Sequence, residues 1–178
     1  MKMNLCAGDW SVARIMAMVE SWIGKSDDPE DCDVTPRMVD LTRSALVKIH
    51  AANLPRPQVW RGPSSVMLNW ECELRSAPRV EKFRRVCLDV EDEPDDDGNI
   101  GCLSFFLYRH SAGESIHVGW KSETMAPLLR TVRGFLDGDS MVAVYGFTRS
   151  FRPEMFYNPD HCADYACGPY TCQTKARP

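Results

Sequence analysis

No apolar run in this sequence approaches the ~20 residues that a membrane-spanning helix needs. The opening Met1-Lys2-Met3-Asn4-Leu5-Cys6 is not preceded by the apolar stretch of about 7–15 residues that a secretory signal carries. Both absences lead to the expectation of a cytoplasmic protein in a reducing compartment. There is also no surplus of one charge. With 21 Lys and Arg against 25 Asp and Glu, the formal net charge is -4, which excludes a protein that coats nucleic acid or a membrane surface by charge alone. Catalytic signatures are missing too: the chain has no G-x-S-x-G, no Walker loop, no dinucleotide glycine fingerprint and no H-E-x-x-H.

What is present is the composition of a folding chain. At 178 residues, 44% hydrophobic and 26% charged, it is long enough to bury a core as one domain. Of its 8 cysteines, Cys6, Cys32, Cys72, Cys87 and Cys102 lie far apart and read as buried or half-buried thiols.

The hydrophobic period is first helical and then alternating. Asp9 can cap a helix over about 9–24, where Val12, Ile15, Met16, Val19, Trp22 and Ile23 recur until Gly24. Thr35-Pro36 opens a second helix over about 35–53, with Met38, Leu41, Ala45, Leu46 and Ile49 as its stripe and Leu54-Pro55-Arg56-Pro57 as its stop. Alternation then predicts strands over about 65–74, 84–91, 100–108 and 115–120, with the third apolar on both faces. A third helix fits 122–136, because Pro127 falls in its first turn and Asp137-Gly138 ends it; 141–147 fits an edge strand. The expectation is an α+β domain over 1–148, in which a helical pair precedes an antiparallel four- or five-stranded meander that also carries the third helix. Residues 149–178, rich in Pro and aromatics without a period, read as a tail or arm.

Three clusters are candidates for function. Arg79, Lys82, Arg84 and Arg85 fall in or beside one hairpin connection, and Asp92, Glu93, Asp95 and Asp96 in the next. Successive connections of a meander lie at opposite ends of the sheet, so these would form a basic and an acidic pole suited to docking. A calcium hand does not fit the acidic run, since Ser104 stands where a bidentate glutamate belongs. The tail offers Phe151, Phe156, Tyr157, Tyr165 and Tyr170 as aromatic anchors. It also carries His161, Cys162, Cys167 and Cys172, four potential zinc ligands. Their C-x4-C-x4-C spacing is not that of a zinc knuckle, so surface or interface thiols are the first reading, with zinc and a disulfide as alternatives.

Leu46, the segment Leu54-Pro55-Arg56-Pro57-Gln58-Val59 and the strand Ser65-Val66-Met67-Leu68-Asn69-Trp70-Glu71 together resemble small uncharacterised bacterial proteins. In those, a helix ends in L-P-x-P-x-V and is followed by a V-x-L-x-W strand and a meander. The resemblance covers about residues 40–108 and implies a bacterial or phage origin but no activity. The functional expectation is a non-enzymatic protein that docks on another macromolecule, most simply a protein, as inhibitor or accessory subunit, without a cofactor. The alternative is a metal-dependent or thiol enzyme using the C-terminal His and Cys cluster.

Overall fold

The computed structural model describes residues 10–24, 33–62, 65–73, 81–109 and 113–151. Helix α1 (Val12–Glu20) turns Ile15, Met16 and Val19 inward. It is shorter than its apolar spacing predicts. Ser21 closes the last turn through its backbone N–H and donates its hydroxyl to the Met18 carbonyl at 2.6 Å, and Gly24 adopts a φ of 62°. Ile23 is therefore exposed, and half-buried Trp22 lies 5.5 Å from the Arg61 guanidinium instead of on the helix stripe. The expected cap Asp9 lies outside the described residues; Ser11 holds the N-cap position.

Helix α2 (Pro36–Ala51) begins as its sequence dictates: the Thr35 hydroxyl accepts from the Met38 N–H at 3.1 Å, and Pro36 takes the first turn. Three contacts fix the pair as antiparallel. The Trp10 ring meets His50, Arg43 reaches Glu20 at 2.6 Å, and Ile23 bridges Val34. The exposed Arg43–Glu20 pair adds little stability; the burial of Val19, Ala45, Leu46 and Ile49 is what holds the helices.

The five strands β1 (Gln58–Arg61), β2 (Ser65–Glu73), β3 (Glu81–Glu91), β4 (Cys102–Arg109) and β5 (Gly113–Gly119) form one antiparallel sheet in the order β1-β2-β3-β4-β5. Strand β1 is an addition to the four sequence-predicted strands. Four residues after Pro57 are too few to display a period, and only pairing with β2, from Gln58↔Asn69 to Arg61↔Val66, defines them. Leu68, Leu88, Leu103 and Val118 share one register row, flanked by Val66, Trp70, Val86, Val90, Phe105 and Leu107. This inner face joins the apolar stripes of all the helices in a single core. Just before β4, Gly101 has a φ of 145°, and a Cβ there would stand 1.9 Å from the Asp89 carbonyl oxygen, so only glycine lets the returning chain pass.

A short 3-10 turn (Ser122–Thr124) leads into α3 (Met125–Asp137), which buries Met125, Leu128, Leu129, Val132, Phe135 and Leu136 at three- and four-residue steps. Residues 141–147 are not an edge strand. They belong to helix α4 (Met141–Phe151), whose start the Ser140 hydroxyl caps by accepting from the Ala143 N–H at 3.2 Å. Valine and tyrosine favour strands intrinsically, but Met141, Val144 and Phe147 recur at three-residue steps, and that stripe seals the core beside β5. The tail accordingly starts no earlier than residue 152. Among the described residues, no helix is long and apolar enough to cross a membrane.

Trp70 tests the assignment of the sheet's faces. It is buried on the inner face, and its indole N–H donates to the Pro55 carbonyl at 2.8 Å. Trp70→Ala is expected to cost about 3–5 kcal/mol in urea denaturation. A loss under about 1 kcal/mol would place the residue on the wrong face.

Candidate functional site: the outer face of the sheet

Alternation that sends Val86 and Leu88 inward sends Phe83, Arg85, Cys87 and Asp89 to the opposite face of β3. Register adds Met67, Asn69 and Glu71 from β2, Cys102, Ser104, Phe106 and Tyr108 from β4, and Ser115 and His117 from β5. Trp60 of β1, opposite Met67, is 56% exposed.

The aromatic end of this face is a stack across strands. The Phe83 and Tyr108 ring centroids are 4.1 Å apart at 19°, Phe106 and Tyr108 6.1 Å apart at 21°, and the Phe106 edge meets His117 at 5.6 Å. The Arg85 guanidinium lies 5.9 Å from the Phe106 centroid while its Nε donates to Asn69 Oδ1 at 3.0 Å. The guanidinium is thus held near a ring and fixed by an amide.

The middle of the face is polar. Ser104 Oγ sits 2.9 Å from His117 Nδ1, and Ser115 Oγ 3.2 Å from Nε2. Burial lowers the His117 pKa, favouring a neutral ring that donates through one nitrogen and accepts through the other. With both nitrogens bonded to hydroxyls, the imidazole ties β4 to β5. Asp89 accepts from the Ser65 hydroxyl at 3.4 Å and the Cys87 thiol at 3.7 Å. Burial, reinforced by nearby Glu91, pushes its carboxyl up to about 6. Glu91 is raised for the same reason, by burial and then by Asp95. The Cys87 thiol is pushed far up by burial and by Asp89, and burial also raises Cys72 against the pull of Arg84, so neither thiol is an activated nucleophile. Among the described residues, no group of three or more His, Cys, Asp or Glu can hold a metal ion.

The sequence-predicted basic pole is largely taken apart. Arg79 lies outside the described residues, as does the Lys82 side chain, although the Lys82 backbone is part of β3. Arg84 is not on a loop: it is 5% exposed and points inward beside Val86. Its guanidinium donates to the carbonyls of Phe135 at 2.5 Å, Asp139 at 2.7 Å and Gly138 at 3.3 Å, with the Phe135 ring centroid 4.9 Å away. The C-terminal carbonyls of a helix lack intrahelical partners, and a buried planar cation with five donors meets several at once. Arg85, one residue on, faces the other way into the aromatic stack. The strand alternation contained this signal, since Arg84 is in phase with Val86, Leu88 and Val90.

The acidic connection does lie at the opposite end of the sheet, but two of its four residues have structural work. Asp92 accepts from the Thr35 hydroxyl at 2.7 Å, tying the hairpin to the start of α2. Asp95 accepts from the Asp97 and Asn99 N–H groups and from the Asn99 amide, closing its own turn. Glu93 and Asp96 are exposed. In the tail, Phe151 is the last residue of α4, and Phe156, Tyr157, His161, Cys162, Tyr165, Cys167, Tyr170 and Cys172 lie outside the described residues.

Two outcomes follow for substitution. Arg84→Ala is expected to lower stability by about 3 kcal/mol or more, since it strands buried carbonyls, with Arg84→Lys recovering only part, as read by urea denaturation. Asp89 has a folded pKa near 6, above its ordinary 3.8. The folded state thus holds a proton the unfolded chain releases, and this contribution is complete below the ordinary value and lost as pH rises through 6. Asp89→Asn is expected to be more stable than the parent at pH 8 by roughly 2–3 kcal/mol, with the difference vanishing toward pH 4. His117 tilts the parent's own curve the opposite way, so the measurement is the difference between the two denaturation series. A difference that does not change with pH would refute the assignment.

Comparison with family models, curated proteins and solved structures finds no match to this chain.

Proposed function

We propose that the protein is a non-enzymatic binding module, of the bacterial or phage type its sequence resembles, that docks a partner protein as an inhibitor or accessory subunit. The observation that carries this reading is the Phe83–Tyr108–Phe106 stack with Arg85 fixed over it, on the sheet face turned away from the helices. Tyrosine, tryptophan and arginine held in place before contact lose little entropy on binding and dominate the energetics of protein interfaces. Exposed Trp60 extends the surface across β1. Glu93 and Asp96 stand at its far end, where exposed carboxylates steer encounter more than they hold a complex together.

Affinity capture by the full-length chain from the cells that produce it, followed by titration of the captured protein, tests this reading. The double variant Arg85→Ser, Tyr108→Ser is expected to bind at least ten-fold more weakly, whereas Glu93→Ser with Asp96→Ser changes mainly the salt dependence. Equal affinity of the parent and the Arg85 and Tyr108 variant would refute docking on this face.

A further inference from the structure

Bulk and charge are unevenly spread along the outer face. Phe83, Arg85, Phe106 and Tyr108 stand toward one end of β3 and β4. Toward the other end stand Asp89 and Glu91, with the smaller side chains Ser65 and Cys102 beside them. Arg85 and Asp89 lie two residues either side of Cys87, about 7 Å from it in each direction along the strand. Among the described residues, Arg85 meets no carboxylate within ion-pair distance, and neither Asp89 nor Glu91 meets a basic side chain. The donors to Asp89 are the neutral Ser65 hydroxyl and Cys87 thiol. Burial is the first cause that raises both carboxyls, and an approaching guanidinium would oppose it.

We propose that a second copy of the chain packs its outer face on this one with the strands reversed, so that Arg85 of each copy meets the Asp89 and Glu91 carboxylates of the other. A twofold axis running along the register row Asn69, Cys87 and Ser104 brings the two unlike halves together. It sets Arg85 over Asp89 of the copy, with Glu91 one step further along the same strand. Phe106 and Cys102 lie two residues either side of Ser104, so the same axis sets the Phe106 ring over the small Cys102 thiol. Charge and bulk are therefore both complementary under one operation. Parallel strands would instead set Arg85 on Arg85 and Phe106 on Phe106.

The face is also large enough. Five strands about 4.8 Å apart, each roughly eight residues long at about 3.4 Å per residue, offer on the order of 600 Å² per copy, close to the ~800 Å² per partner of stable complexes. Two such faces pack about 10 Å apart, a distance that the rings of one copy and the short side chains of the other fill together. The inner face offers no equivalent surface, because the helices already cover it.

The inference concerns the face of the docking reading, but its test needs only the purified full-length chain. Sedimentation equilibrium up to about 100 µM is expected to show a reversible dimer. Arg85→Glu and Glu91→Arg should each weaken it by roughly ten-fold or more. An equimolar mixture of these two variants should recover the parent's affinity, since each presents the charge that the other lacks. Asp40→Arg, on the exposed side of α2, changes the net charge as much as Glu91→Arg and should shift the dissociation constant by less than about two-fold. Urea denaturation checks that each variant folds. Arg85→Gln or Glu91→Gln, expected to weaken the dimer by about three-fold or more, replaces any variant that does not. A monomer at every concentration, unchanged affinity in the Arg85 and Glu91 variants, a mixture no tighter than its components, or equal weakening by Asp40→Arg would each overturn the proposal. Such a failure leaves the docking reading intact, just as an unaffected partner titration would leave the dimer intact.

Discussion

Leu68, Leu88, Leu103 and Val118 meet in one row across four strands, and the rest of the molecule is arranged around the need to cover that row. A sheet with one apolar face requires a second layer, and the chain supplies it twice: as a helical pair before the meander and as a second pair after it. Neither pair alone accounts for the whole core. Leu46 and Ile49 of α2 and Leu128, Val132 and Phe135 of α3 belong to the same cluster, and the two sides are further joined where Lys48 bonds the carbonyl and hydroxyl of Ser122 at 2.7 and 2.8 Å.

That cover contains a charge. Arg84 occupies an inward position of β3 where a hydrocarbon would be the simple choice, and its position is consistent because the α3–α4 turn presents three carbonyls to it. The guanidinium adds to the Gly138 cap of α3, where the Gly138 and Asp139 N–H groups already bond the Phe135 and Gly134 carbonyls, and it ties the α3–α4 turn to the middle strand of the sheet. Asp92 has a similar role at the other end of β3, where its contact with Thr35 joins the hairpin to the start of α2. Two side chains expected to form opposite binding poles thus both fasten the sheet to the helical layer.

Much of the fold was legible because its periods are clean. The stripes of α2 and α3 and the alternation of β2, β3 and β4 each extend over two or more turns or four or more pleats, long enough for one period to stand out. What escaped was either short or ambiguous. Strand β1 exists through its partner, and α4 is built from residues that favour strands but bury a helical stripe. The candidate site was harder, because a cluster of like charges in sequence is not a cluster in space. Arg84 and Arg85 are neighbours in the chain and lie on opposite faces of the sheet. Phe83, Phe106 and Tyr108 meet only once the register of β3 and β4 is known.

The strand order β1-β2-β3-β4-β5 has a consequence for how the molecule is made. Every strand pairs only with its neighbours in sequence, so each pairing closes a short loop, and the sheet can grow one hairpin at a time without waiting for a distant segment. The helical pair leaves the ribosome before any strand exists to receive its apolar stripe, and the second pair follows the last strand. Synthesis therefore passes through a stage in which the early helices hold hydrocarbon open to water, and the growing meander relieves it strand by strand.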